Sequence, residues 1–287
     1  MMKSLLYRFA FALLLALASV TGVYSQNLPF KGGEQMNYVV HYKWGISADL
    51  AGLDLSCTEE SYQGRNSYHI KGYAYTYSFW DSFYSVRDVY ECWLTPDSRL
   101  TPLAYHRDVN EGKYWSKNWF VWSEDKSSIK VDIQKSTKPP VDTTYKEDVF
   151  IRDMVNIIYY LRTLDLSEAG RTEVVTCVAD RDILDLKTRV IGKETVSLKG
   201  IGKVEAMKIG VAITPRKQFS YHVHDGVQLK VQSTDGTFFG DEKIFIWYST
   251  DENKVPVLFA APLKVGEFRG RLFSYQGNKY PFNPVKK

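Results

Sequence analysis

The feature that most constrains this chain is the way its aromatic residues alternate with other residues in short runs. In "GEQMNYVVHYKW" (33–44), Met36, Tyr38, Val40, Tyr42 and Trp44 fall on every second position. Aromatic and β-branched residues at period two suit a pleated, half-buried surface. The same style returns in "AGLDLSC", with Leu53, Leu55 and Cys57 on one face, and in "SYHIKGYAYTYSFW". Polar turns follow at intervals of about ten residues. They fall at Pro96-Asp97, Asn110-Glu111-Gly112, Glu124-Asp125 and Asp251-Glu252-Asn253-Lys254, with Gly-Lys turns at Gly192 and Gly202. Aromatics make up 15% of the residues, enough to give every such run its apolar face. This spacing indicates antiparallel hairpins rather than βαβ units.

One segment breaks the rule. In "RDMVNIIYYLRTLDL" (152–166), Met154, Ile157, Ile158 and Leu161 sit at i, i+3, i+4 and i+7, the stripe of a helix. Asp153 is placed to cap it, with Met154 as the first helical residue. Val155, Tyr159 and Arg162 on the other side are not purely polar, so the helix is expected to be covered on more than one side. At about three turns it is too short to stand alone in water and must dock on the sheet. Pro139 and Pro140 precede it in a polar connection, where the sheet is expected to pause.

The expected fold is therefore mainly β: one large curved antiparallel sheet, or partial β-barrel, with one central α-helix. Residues 26–287 are expected to form a single mainly-β domain. Its β halves at 33–133 and 172–275 flank a connection and helix at 134–166.

The first residues read as a processing signal. Lys3 and Arg8 precede the apolar run "FAFALLLALASV" (9–20), which is too short to span a bilayer. Val23 and Ser25 then stand at −3 and −1 of a cut before Gln26, so 1–25 is expected to be a secretory signal peptide. No Cys adjoins the cut, so a lipoprotein is not expected, and no later segment is long and apolar enough to span a membrane. An exported protein follows, with the periplasm of a Gram-negative bacterium as its expected place. Without Lys3 and Arg8 the 37 basic residues become 35, against 33 acidic ones. So even a balance gives no electrostatic case for a nucleic-acid partner. Three cysteines remain, Cys57, Cys92 and Cys177, each inside a strand-like run. They read as small buried hydrophobes, while an oxidising compartment leaves a Cys57–Cys92 disulfide open.

Four motifs resemble a bacterial exported family, the domain of unknown function numbered 3108. The first is Gly33-Glu34 followed by a Tyr-rich strand and a Gly-bearing second strand. The second is the Asp-led helix ending in Tyr159-Tyr160-Leu161-Arg162. The third is "IGKETVSLKGIGKVEAMKI", a Gly-x-Glu strand with its hairpin return. The fourth is "IFIWYSTDENKVPVLF", with Trp247, Ser249, Asp251 and the return Val255-Pro256-Val257. The resemblance implies a fold and an envelope setting. The family supplies no catalytic residues to carry over.

Signatures of catalysis are missing: there is no Gly-x-Ser-x-Gly, His-Glu-x-x-His or phosphate-cradling glycine loop. No catalytic residue is assigned, no cofactor is expected, and a non-enzymatic role is favoured. His222 and His224 share one strand face but lack a visible third ligand, which makes them weak metal candidates. His41, His69 and His106 are scattered along the chain. Asp180, Asp182 and Asp185 lack the glycine and terminal Glu of a calcium loop and read as a solvated turn. The stronger lead is aromatic. Tyr73, Tyr75, Tyr77 and Phe79 alternate onto one face, and Trp115 and Trp119 share parity further on. Apolar rings with polar tips on a concave sheet suit a lipid-like molecule or a glycan. The alternative is a structural or assembly factor meeting another envelope protein, with a hydrolase of non-local site behind both.

Overall fold

The computed structural model describes residues 27–44, 46–146, 149–180, 182–217, 220–222, 228–230, 244–262 and 266–285. The signal-peptide reading and His224 lie outside these residues, as does the side chain of His222.

Eight strands run first as a meander: β1 (Gln35–Trp44), β2 (Ile46–Tyr62), β3 (Arg65–Thr76), β4 (Arg87–Leu94), β5 (Pro102–Glu111), β6 (Tyr114–Trp122), β7 (Ser128–Lys135) and β8 (Lys138–Lys146). A single-turn helix, α1 (Ser78–Asp81), sits between β3 and β4. The three-residue β9 (Ile151–Asp153) leads into α2 (Met154–Thr163). A second meander follows: β10 (Thr172–Ala179), β11 (Asp182–Leu198), β12 (Gly202–Lys217), β15 (Ile244–Ser249), β16 (Pro256–Pro262) and β17 (Glu267–Gln276). Among the described residues, the short β13 (Ser220–His222) and β14 (Gln228–Lys230) pair only with each other. The last strand, β17, pairs antiparallel with the first, β1, and so joins the two meanders into one sheet of fifteen strands. The order runs from β8 at one edge to β9 at the other, so the curved sheet does not close into a barrel.

Helix α2 lies between the two halves. Asp153 caps it as expected, accepting from Asn156 N at 2.8 Å and Val155 N at 3.0 Å. Val155 and Tyr159 pack into a core with Met36, Ile70, Leu94, Phe120 and Val131 of the first half. Ile157 and Leu161 pack into a second core with Val175, Val190, Ile209 and Tyr248 of the second half. The anticipated stripe needs correction at one end, because Met154 is half exposed. Two apolar faces replace the single stripe because the helix has sheet on both sides. The concave interior is filled by this helix and by large buried side chains such as Phe30, Tyr105 and Phe120. Gly270 makes room for a further, partly buried ring: a Cβ there would lie 1.8 Å from the Phe259 ring packed over it.

The family-like motifs meet at two junctions. At the first, Arg162 and Glu34 form a fully buried two-pronged pair, Nη1–Oε2 at 2.6 Å and Nη2–Oε1 at 2.7 Å. Arg162 also donates to the carbonyl of Asn253 in the β15–β16 turn, and Tyr275 donates to Glu34 at 2.9 Å. The end of α2 is thus tied to the start of β1, to the turn and to β17. The second junction joins Glu194 to Trp247 on the outer face.

Two local expectations change, and one alternative left open is decided. Pro139 and Pro140 lie within β8 and do not end the sheet. That strand is an edge, where a missing N–H costs no ladder bond. Gly192 lies inside β11 at a bulge, since the register passes from Val190 to Gly192. The hairpin turn comes later, at residues 199–201. Cys57 and Cys92 are free and buried, with Ile70 between them across β2, β3 and β4. Two strand spacings, about 9–10 Å, exceed the reach of a disulfide.

Asp180 stands in the turn after β10 and is partly exposed, yet its carboxylate is not left to solvent alone. The residue takes a positive φ of 55° at the end of β10 and reaches back to the first half. Its carboxylate accepts from Asn118 at 3.0 Å and Arg107 at 3.2 Å, and pairs with the nearly buried Lys135. These contacts hold the two open ends of the curved sheet near each other.

Candidate functional site

The bulge at Gly192 decides where the site lies. Beyond it, the β11–β12 hairpin leans over the outer face and reaches β16 and β17. Lys203 on the same hairpin pairs with Val285 near the C-terminus. Under the overhang is a groove of about 670 Å³, open to the surface. Ligand pockets commonly run to several hundred cubic ångströms. The floor is apolar: Phe245, Trp247, Leu258 and Ala260 from β15 and β16. The walls are polar: His41 and Lys43 from β1, Lys208 from β12, and Arg269 and Arg271 from β17. Glu194 and Glu267 oppose them.

The local geometry follows from strand pairing. Lys208, Trp247, Leu258 and Arg271 are successive partners across β12, β15, β16 and β17, so their side chains share one face. Lys208 Nζ stands 4.8 Å from the Phe245 ring centre and 5.0 Å from that of Trp247, a cation over two aromatic faces. The Trp247 indole donates to Glu194 at 2.7 Å and holds that carboxyl below its ordinary range, with Lys208 at 3.3 Å adding to the effect. Arg271 and His41 both meet Asp49, at 3.3 Å and 2.8 Å. The groove thus sets an apolar floor beside cations that are paired with carboxylates: Lys208 with Glu194, Arg269 with Glu267 and Arg271 with Asp49.

Tyr73, Tyr75 and Tyr77 stand on the outer face next to this groove, not in the concave interior. Tyr73 and Tyr75 stack at 5.2 Å, and Tyr77 meets Tyr75 edge-on at 6.0 Å. Tyr75 lies over Gly52, where a Cβ would come within 2.5 Å of its ring. Phe79 projects from α1 and is 68% exposed. Trp115 and Trp119 lie on the outer face of β6, each about 40% exposed. The tyrosines and the tryptophans are thus separate groups. Trp119 joins another set instead: it stacks on His106 at 3.9 Å and lies nearly parallel to Trp93 at 6.3 Å, while Trp93 stacks on His69 at 4.5 Å. Glu91 lies 3.3 Å from a ring nitrogen of both His69 and His106. Two histidines far apart in sequence therefore share one carboxylate. Among the described residues no group of three His, Cys, Asp or Glu is placed to hold a metal ion.

Lys208, Phe245, Arg269 and Arg271 are groove residues that sequence reasoning did not select. Glu267, Arg269 and Arg271 do alternate in "EFRGR", a charged stripe at period two that was open to reading. What gives the stripe meaning is the pairing of β17 with β1 and the overhanging hairpin, and both depend on long-range contacts.

No helix among the described residues is long and apolar enough to cross a membrane. The chain is similar to a β-barrel-like protein of the domain of unknown function DUF1849 from Brucella abortus. Identity is 9%, over 85% of this chain and 96% of that one, with a TM-score of 0.49. It is also similar to a putative exported protein with YmcC-like fold from Bacteroides fragilis NCTC 9343. There identity is 7%, over 87% of this chain and 98% of that one, with a TM-score of 0.33. No curated protein matches it. The model of the protein family of unknown function DUF3108 matches residues 37–272, from the Tyr-rich first strand to the last, and the chain belongs to that family.

Proposed function

We propose that this is an exported, non-enzymatic binding protein of the cell envelope that takes an amphipathic anion in its outer groove. The observation that carries this reading is the pairing of an apolar floor, Phe245, Trp247, Leu258 and Ala260, with the cationic walls Lys208, Arg269 and Arg271. An acyl chain would lie on the floor, and a phosphate or carboxylate head would exchange for the carboxylates that now face the cations. The signal-peptide pattern supports export to the periplasm. The concave interior is filled by buried side chains, and in this reading the ligand lies on the outer face, on the same side of the sheet as the tyrosine ladder.

The test is native mass spectrometry of the protein from its own envelope, followed by titration with short-chain phosphatidylglycerol below its micelle concentration. Saturable binding should weaken about tenfold in Lys208→Ala/Arg271→Ala, from the loss of two charge-assisted contacts. An empty protein together with no saturable binding would overturn the reading.

A further inference from the structure

The connection from β3 to β4 carries "SFWDSFY" (78–84), and its rings have no place in either core. Phe79 is 68% exposed, Phe83 74% and Tyr84 53%. Phe79 packs on Trp80 at 5.0 Å and on Phe83 at 5.9 Å, and Trp80 lies 6.1 Å from Phe83. These rings form a projecting knob, a shape that fits no ordinary solvated turn. Its polar tips are turned back to the protein: Trp80 Nε1 donates to the Asp49 carbonyl at 3.0 Å, and the Tyr84 hydroxyl donates to Glu111 at 3.2 Å. The one charge within the segment, Asp81, is paired with Arg87 and hydrogen-bonded to Thr76. Nothing on the knob would carry an unpaired charge into an apolar phase.

We propose that Phe79, Trp80, Phe83 and Tyr84 form an anchor that inserts into the interface of an anionic membrane. Two observations select a membrane over a protein partner. First, phenylalanines lead while Trp and Tyr sit behind them with bonded polar tips, the arrangement that suits the boundary between acyl chains and headgroups. Second, the knob adjoins the mixed-charge rim of the groove, where Lys43, Lys208, Arg269 and Arg271 outnumber Glu194, Glu267 and Asp49. Asp49, which accepts from Trp80, also meets Arg271 and His41, and Lys43 and Arg269 flank them on the same groove. Rings that enter the interface and cations that meet headgroup phosphates act together. This second argument rests in part on the groove reading, because a lipid-like ligand would be collected where the anchor sits.

The experiment is flotation of the processed protein with phosphatidylethanolamine–phosphatidylglycerol vesicles and, separately, with phosphatidylcholine vesicles. Wild type should float with the anionic vesicles and much less with the neutral ones. Phe79→Ser/Phe83→Ser should lower anionic partition about tenfold or more, since two exposed rings leave the interface. Both positions are exposed, so the variant should keep its melting temperature and its affinity for short-chain phosphatidylglycerol. Failure of wild type to float, or equal flotation of the double variant, would overturn the anchor. A double variant that floats normally but loses self-association in sedimentation would assign the knob to a second copy of the chain instead. If flotation holds while short-chain lipid does not bind, the groove reading fails and the anchor stands.

Discussion

Asp153 shows how much one residue can be asked to do in this protein. It caps α2 with two backbone hydrogen bonds, yet it is wholly buried, with the Cys92 and Cys177 thiols nearby. Burial pushes its carboxyl up to about 7, against the lowering effect of the Asn156 and Val155 amides. The native protein keeps a proton that the unfolded chain releases above its ordinary value of 3.8. The stabilising contribution is complete below that value and is lost as pH rises through about 7. Asparagine caps a helix as well as aspartate does and carries no proton to lose. Asp153→Asn should therefore gain on wild type as pH rises from 4.5 to 7.5, by a few kcal/mol in all. Urea unfolding at several pH values reads this directly, and a difference that does not change with pH would refute it.

At the scale of elements, the local order of the chain was legible and the long-range order was not. The cap, the start and the doubly covered nature of α2 all follow from Asp153 and the apolar positions behind it. Strands followed from period two. Pro139-Pro140 misled because an edge strand tolerates proline, and being an edge depends on the whole topology. Gly192 misled because a bulge and a turn use the same residue. Arg162 could be placed on the helix, but nothing local shows that Glu34, distant in sequence, would meet it. That pair governs how α2 is held to β1, the β15–β16 turn and β17. Stripping one partner from a buried pair costs about 3–5 kcal/mol, because the other charge stays behind in the core. Arg162→Met and Glu34→Leu should each lose about that much. The double variant should lose clearly less than their sum, since no orphaned charge remains. A double-mutant cycle by urea unfolding checks this, and strict additivity would show that the two residues act separately.

For the whole molecule, the open question for a curved sheet that does not close is what holds its ends together. Hydrogen-bonded strands run without a break from β8 to β9 through the β1–β17 pair, and beyond β8 and β9 the ladder stops. Across the opening, Asp180 supplies a polar seam to Arg107, Asn118 and Lys135 of β5, β6 and β7. Burial raises the Asp180 pKa, but Lys135, Asn118 and Arg107 outweigh it, so the carboxyl is held below its ordinary value of 3.8. Its contribution is thus present above that value and lost as pH falls through the lower native one. Asp180→Asn preserves the positive φ, which Asn tolerates, and removes only the charge. Because the carboxylate is more than a third exposed, solvent screens it, and the loss should be modest, about 1–2 kcal/mol. It should also be local. Hydrogen exchange should quicken in β7, β8 and β10, while β1, β2 and β17, in the middle of the sheet, keep their protection. Uniform quickening would mean that the seam belongs to the global core. Unchanged exchange in β8 would mean that packing on α2 alone holds the ends, and that the seam is incidental to the curvature on which the outer groove is built.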